Sequence, residues 1–152
     1  MQARMISPAL LLPNATESIQ GLYKAISSGG VPQRTLDLVH LRASQINGCS
    51  ACVHGGTTSA TRTGENTGRL IAVSAWYESP LFDEAERAAL ALTEAATRLS
   101  DRPGSVTDEI WADARKHYDE KQLSAIVLMI ALTNFFNRIN TTIRTPAGSS
   151  WD

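Results

Sequence analysis

Cysteine occurs twice in this sequence, at Cys49 and Cys52, and the C-x-x-C spacing is the feature with the clearest chemistry. The pair follows Asn47-Gly48, which tends to break a helix. A helical pattern runs up to that break and another starts after it. The thiols are therefore expected in the first turn of the second helix. There the macrodipole and the free backbone N–H groups stabilise a thiolate. Thiols at i and i+3 share a helix face and can close a disulfide with little backbone movement. C-x-x-C is also a known low-pKa arrangement. A dithiol/disulfide redox centre is the favoured reading. The bland alternative is two buried cysteines packed as small hydrophobes. Zinc is weaker, because four ligands are expected. The nearby third candidate, His54, would point off the cysteine face of a helix.

The elements that must hold this pair are helical by pattern. Residues up to about Asn14 are punctuated by proline and are expected to be extended, as an arm. A helix is expected from Thr16 to Ser27, with Ile19, Leu22, Tyr23 and Ile26 on one face. Gly29-Gly30 ends it, and Pro32 suits the start of the next helix. Leu36, Val39, Ala43 and Ile46 form that helix's inward stripe. The cysteine helix follows, with Gly64 as its stop. A shorter helix carries Leu70 to Trp76. Asp83-x-x-Glu86 resembles a capping box, and behind it Ala85, Ala88, Ala89, Leu92, Ala95, Ala96 and Leu99 keep helical spacing. Thr107 can cap a short helix, and Asp119-x-x-Gln122 starts a last helix reaching about Thr142. The centre of that helix, Ile126 to Leu132, is apolar on every side, so burial all round is expected, in the core or against another subunit. Beyond Pro146 the chain reads as a tail. No segment alternates at period two long enough to be a strand. The expected fold class is an all-α bundle of six or seven helices.

At 152 residues the chain is most economically one domain, long enough to bury a core without staples. A net charge of −1 gives no electrostatic case for nucleic acid or an anionic membrane. The longest apolar run, Ala125 to Leu132, falls short of a membrane span, which needs about 20 residues. The run Ala9 to Leu12 is too short for a signal-peptide core. Two cysteines do not make a secreted disulfide framework, so a reducing cytoplasm fits better.

Leu41-Arg-Ala-Ser-Gln-Ile-Asn-Gly-Cys-x-x-Cys52 resembles the core signature of the carboxymuconolactone decarboxylase superfamily, in its alkylhydroperoxidase D-like branch. The likeness continues through Ala60-x-x-x-Gly64-Glu65, Ala75-Trp76-x-Glu78-Ser79 and Glu86-Arg87-Ala88-Ala89-Leu90. It ends in Asn134-x-x-Asn137-Arg138-x-Asn140, so it spans roughly residues 15 to 145. The resemblance implies an all-helical fold and a homo-oligomer, trimer or hexamer. It implies a thiol-dependent peroxidase that acts on a peroxide substrate, regenerated by an external dithiol. Cys52 would be peroxidatic and Cys49 resolving. The helix-terminus argument alone would have favoured Cys49 as the more acidic thiol, so this order rests on the resemblance. No metal or organic cofactor is implied.

Two positions depart from the family's pattern. Its proton relay uses a glutamate twelve residues before the first cysteine, where this chain has Asp37. It also uses a histidine four residues after the second cysteine, where this chain has Gly56. A residue at i+4 shares the cysteine's face, whereas His54, at i+2, points almost the opposite way. His40 lies one turn after Asp37, which could orient it. Asp37, His40 and His54 are therefore the candidates for proton transfer, each with a bland surface reading beside it. His117 reads as surface. With Gly56 in place of histidine, Cys52 is expected to be a poorer nucleophile than in members that keep the base. The run Asn134, Asn137, Arg138, Asn140 reads as polar groups that tie helix ends or an interface. Two rival functions stand beside the peroxidase: a lyase acting on a small lactone acid, whose branch generally lacks the C-x-x-C, and a non-enzymatic redox switch.

Overall fold

Helix α3 (Gln33–Ile46) is the strut against which most of the molecule packs. In this computed structural model, which describes residues 2–149, it contacts α4 (Ser50–Arg62), α6 (Glu84–Thr97) and α8 (Glu120–Ile143). The remaining elements are α1 (Pro8–Leu11), α2 (Ala15–Ser27), α5 (Thr67–Ala72), a 3-10 segment over Val73–Glu78, and α7 (Asp108–His117). The described residues contain no strand, so the all-α class holds. The last residues of the expected tail, 150–152, lie outside the described residues.

The helix boundaries follow local chemistry. Asp83 accepts from the Glu86 N–H while the Glu86 carboxylate accepts from the Asp83 N–H, and Asp119 and Gln122 form the same reciprocal pair. Each capping box satisfies two backbone donors that the helix start would leave open. The Thr107 hydroxyl accepts from the Ile110 N–H, as its position before α7 suggests. Gly48 stops α3 in a left-handed conformation at φ 65°. The Cys49 N–H reaches back to the Ser44 carbonyl at 3.0 Å and the Gly48 N–H to Gln45 at 3.2 Å. These are the two bonds of a Schellman motif, and they set where the cysteine helix begins.

The alanine stripe of α6 has the consequence its residue sizes suggest. Ala88 and Ala89 are buried at 2% and 1% exposure, so α3 approaches α6 closely. One core cluster includes Val39, Ala89, Leu92 and Ile126; a second joins Leu38, Leu41, Leu70, Val73, Trp76 and Leu90. Burying each such leucine or valine contributes about 1.5–3 kcal/mol.

Five expectations need correction. The arm is not wholly extended: Pro8–Leu11 forms a helical turn, with proline at a position that tolerates its missing N–H. The helix expected through Trp76 changes to 3-10 after Ala72 and kinks at Ala75, which has non-helical φ/ψ. Leu99 falls beyond the end of α6 and is exposed. The centre of α8 is not buried all round, since Val127 and Leu128 keep 43% and 40% of their surface exposed. On α2, the four residues expected on one face are not buried alike: Ile26 is buried whereas Leu22 and Tyr23 are exposed. At 24 residues α8 has the length of a membrane span, yet it serves here as a core helix packed by α2, α3, α4, α6 and α7.

Candidate functional site

Cys49 is the N-cap of α4 and Cys52 lies in its first turn. The two are joined as a disulfide with Cα atoms 5.3 Å apart, inside the usual span for that bond. Their surroundings differ. Cys49 is 2% exposed, and its sulfur accepts the Cys52 N–H at 3.3 Å. Cys52 lines a cavity of about 570 Å³ bounded by α1, α2, α3, α4 and α8, and Cys49 is not among the residues lining it. The apolar wall includes Leu10, Ile19, Tyr23, Met129 and Phe136, with the Tyr23 and Phe136 rings stacked at 6.2 Å. The Ser7 hydroxyl, buried and without a hydrogen-bond partner, lines the same space.

The polar wall is built from three helices. Asn140, near the end of α8, donates its amide N–H to the Cys52 sulfur at 3.2 Å. The orientation of that amide is fixed from behind: the Thr145 hydroxyl donates to Asn140 Oδ1 at 3.2 Å. Thr145 reaches it because α8 ends at Arg144 in a left-handed turn, φ 57°. Arg4 pins the same helix end by donating its N–H to the Ile143 carbonyl at 2.7 Å, which carries the N-terminal arm over the cavity.

Asp37 and His40 both face this cavity from α3. Gln33 donates to Asp37 Oδ1 at 2.8 Å. Burial pushes the Asp37 carboxyl up, against that hydrogen bond and the nearby His40. The His40 ring bridges α4 and α8, with Nε2 3.3 Å from the Cys52 carbonyl oxygen and Nδ1 3.3 Å from the Thr133 hydroxyl. Burial lowers the His40 pKa, against the Cys52 carbonyl and Asp37. Burial thus favours the neutral form of the imidazole.

Of the five residues marked by the sequence, the structure brings four together: Cys49, Cys52, Asp37 and His40. His54 is exposed and is not among the residues lining the cavity; it sits near Gly148. His117 is exposed on α7. The group that sequence reasoning missed is Asn140. Asn134 and Asn137 do tie helices: both accept from the Asn47 amide, and Asn137 donates to Ser44, locking the turn before Cys49 onto α8. Asn140 is buried one turn beyond Asn137, so the signal the sequence offered was an amide at i+3 from a residue expected to tie helices. Arg138 is exposed and bonds back to Asn134 on its own helix. The described residues hold no group of three or more His, Cys, Asp or Glu able to bind a metal.

A helical bundle with a cysteine pair at the start of α4, one sulfur facing a largely apolar cavity, has the AhpD-like helical fold. The chain belongs to the carboxymuconolactone decarboxylase family, whose family model matches residues 13–95. It is 32% identical over 139 residues to the uncharacterized protein YdfG of Bacillus subtilis, covering 91% of this chain and 93% of that one. It is 36% identical over 111 residues to the uncharacterized protein YnjA of Escherichia coli, covering 72% of this chain and 59% of that one. Among solved structures, ATU0492 of Agrobacterium tumefaciens, a protein of unknown function proposed as the antioxidant defence protein AhpD, superposes with a TM-score of 0.88. It shares 28% identity over 98% of this chain and all of its own. The debrominase Bmp8 superposes with a TM-score of 0.79 at 27% identity, over 90% of this chain and 73% of its own.

Proposed function

We propose that this protein is a thiol-dependent peroxidase of the alkylhydroperoxidase D-like type, with Cys52 as the attacking thiol and Cys49 as the resolving one. The observation that carries the reading is the unequal setting of the two sulfurs: Cys52 faces the cavity and accepts from Asn140, while Cys49 lies behind it. In the first step the Cys52 thiolate attacks a peroxide oxygen and the O–O bond breaks. The cysteine becomes a sulfenic acid, and the other oxygen leaves as alkoxide or hydroxide and takes up a proton. In the second step the Cys49 sulfur attacks Cys52 Sγ. Water departs and the disulfide closes. An external dithiol then reduces the disulfide, itself becoming oxidised, so each turnover converts one peroxide and one dithiol into alcohol, water and a donor disulfide. That demand for reductant fits a reducing cytoplasm.

The experiment is peroxide consumption with dithiothreitol as donor, read together with intact mass and thiol labelling. Two thiols per chain should be lost on oxidation and recovered on reduction. Oxidation to the disulfide without turnover would favour the redox switch, and conversion of a lactone acid would favour the lyase. Because Bmp8 is a debrominase and the cavity here is largely apolar, bromide release from 2,3,4-tribromopyrrole is the control assay. Both cysteines still free after mild oxidation would end the redox reading.

The assembly proposed is a symmetric homo-oligomer, trimer or hexamer. Its support is an apolar groove between α2 and α8, lined by Leu22, Leu128, Leu132 and Phe135. Leu22, Leu128 and Phe135 there are 43%, 40% and 45% exposed, and contiguous apolar surface of this kind marks interaction sites. Light scattering should give a multiple of the chain mass for wild type and a lower mass for Leu128→Arg. A monomer mass for wild type at micromolar concentration would refute it.

A further inference from the structure

Oxidation of Cys52 requires a group that removes a proton from the thiol and later supplies one to the departing oxygen. The titratable side chains lining the cavity are Tyr23, Asp37, His40 and Cys52 itself. Of these, His40 has a ring nitrogen 3.3 Å from the backbone of Cys52 itself, and imidazole is the side chain that takes up and returns a proton most readily near neutrality. We propose, resting on the redox reading above, that His40 is this proton carrier and that Gly56 is the residue that makes room for it.

Gly56 follows Cys52 by one helical turn and shares its face of α4. A Cβ placed there would lie 2.6 Å from His40 Cδ2 and 3.0 Å from His40 Nε2. Real Cβ atoms do not approach neighbours so closely. The imidazole, entering from α3, thus fills the space in which any side chain at position 56 would begin. That space adjoins the first turn of α4, where Nε2 stands 3.3 Å from the Cys52 carbonyl oxygen. The glycine and the histidine are a matched pair.

The hydrogen bonds suit both protonation states. The neutral ring has two tautomers. With its proton on Nε2 it donates to the Cys52 carbonyl and accepts from the Thr133 hydroxyl. With its proton on Nδ1 it donates to Thr133 Oγ1, gives up the carbonyl bond and carries its lone pair on Nε2 at the Cys52 end of the cavity. After it takes the thiol proton, Nε2–H has the Cys52 carbonyl as acceptor and Asp37 one turn away as counter-charge. The thiolate left behind accepts from Asn140. When the O–O bond breaks, the imidazolium returns its proton to the leaving oxygen, and the ring is neutral again. The charged and titratable groups that bear on His40 are Asp37 on its own helix, Cys52 on α4 and Tyr23 across the cavity, while α8 presents the Thr133 hydroxyl. Burial raises the Tyr23 pKa, so its phenol stays protonated near pH 7.

The test is the pH dependence of Cys52 alkylation by iodoacetamide in the reduced protein, with Cys49→Ala as the common background so that one thiol is followed. His40→Ala and His40→Gln are each expected to slow alkylation at pH 7 by about tenfold or more. Their rates should rise only through the thiol's own ordinary pKa, about 8.5. Glutamine can still donate to the Cys52 carbonyl, so its failure separates proton transfer from propping. The double variant His40→Ala/Gly56→His, which returns an imidazole to the vacated space from α4, should recover most of the rate. Gly56→His alone should not exceed the parent, because the two rings compete for one volume. Wild-type-like alkylation in His40→Gln, or a double variant no faster than His40→Ala, overturns the proposal. Peroxide turnover is scored separately in otherwise unaltered protein. A chain that alkylates in this pattern yet consumes no peroxide fails the peroxidase reading and not the assignment of His40.

Discussion

Replacing Glu86 with Ala is expected to destabilise the fold by about 3–5 kcal/mol, the range for breaking a buried ion pair from one side. Glu86 is 2% exposed at the start of α6. Its carboxylate receives both Arg69 Nη groups, at 2.9 and 3.0 Å, and Arg34 Nη2 at 2.8 Å. It also accepts the Asp83 N–H that completes the capping box. Alanine would remove the box's return bond and leave the Arg69 guanidinium, itself 15% exposed, with Glu65 as its remaining carboxylate. For a chain of this length the loss corresponds to roughly 6–20 °C in melting temperature. Thermal and urea unfolding followed by circular dichroism would measure it. Glu86→Gln should lose less, since an amide oxygen still accepts from the Asp83 N–H. The effect should also depend on pH. Burial raises the Glu86 pKa, but the hydrogen bonds from Arg69, Asp83 and Arg34 outweigh it and hold the carboxyl below its ordinary value of 4.5. A depressed folded pKa means the unfolded chain binds more protons as pH falls. The contribution is therefore complete above about 4.5 and is lost as pH drops through the folded value. The gap between wild type and Glu86→Ala should narrow in acid, and a gap that stayed constant down to pH 3 would remove the ion pair as its cause.

Glu86 also marks where the sequence was legible and where it was not. Asp83-x-x-Glu86 could be read as a helix start because a capping box is a matter of four consecutive residues. The Gly48 stop, the Thr107 cap and the alanine stripe of α6 were readable for the same reason. That Glu86 would also bind Arg34 and Arg69, 52 and 17 residues away, was not in any local pattern. The candidate site divides along the same line. The dithiol and its helix position follow from spacing alone. The contact between Asn140 and Cys52 joins residues 88 apart. A periodic pattern shows which face of a helix turns inward but not which neighbour it meets. The departure at Gly56 is visible in the sequence, where it stands as a missing base. Its meaning changes once the His40 ring is seen in the space beside it, a fact about how α3 crosses α4. The centre of α8 failed differently. Val127 and Leu128 are apolar by type, and nothing in their own helix distinguishes a core face from a face left open at the surface.

Cys52→Ala is expected to abolish peroxide consumption, and Cys49→Ala to stop turnover after one oxidation. The two outcomes differ because the two sulfurs are built differently. Cys49, as N-cap, has the Cys52 N–H directed at its sulfur and the α4 N-terminus behind it, an arrangement that favours a thiolate once the disulfide is reduced. In the proposed cycle that setting does not make it the attacking thiol, because Cys49 is 2% exposed and does not line the cavity. It prepares Cys49 for the second step, in which a thiolate must attack the sulfenic acid. Cys52 receives a hydrogen bond from Asn140 and faces the space a substrate can enter. Without Cys52, peroxide meets no thiol in the cavity, and the Cys49 thiol should remain unmodified, as read by thiol labelling under conditions that oxidise wild type. Without Cys49, Cys52 should gain one oxygen, react with dimedone as a sulfenic acid, and proceed to sulfinic acid in excess peroxide. If Cys52→Ala still consumes peroxide and labels at Cys49, the order of the two thiols is reversed, and the helix terminus rather than the cavity selects the nucleophile.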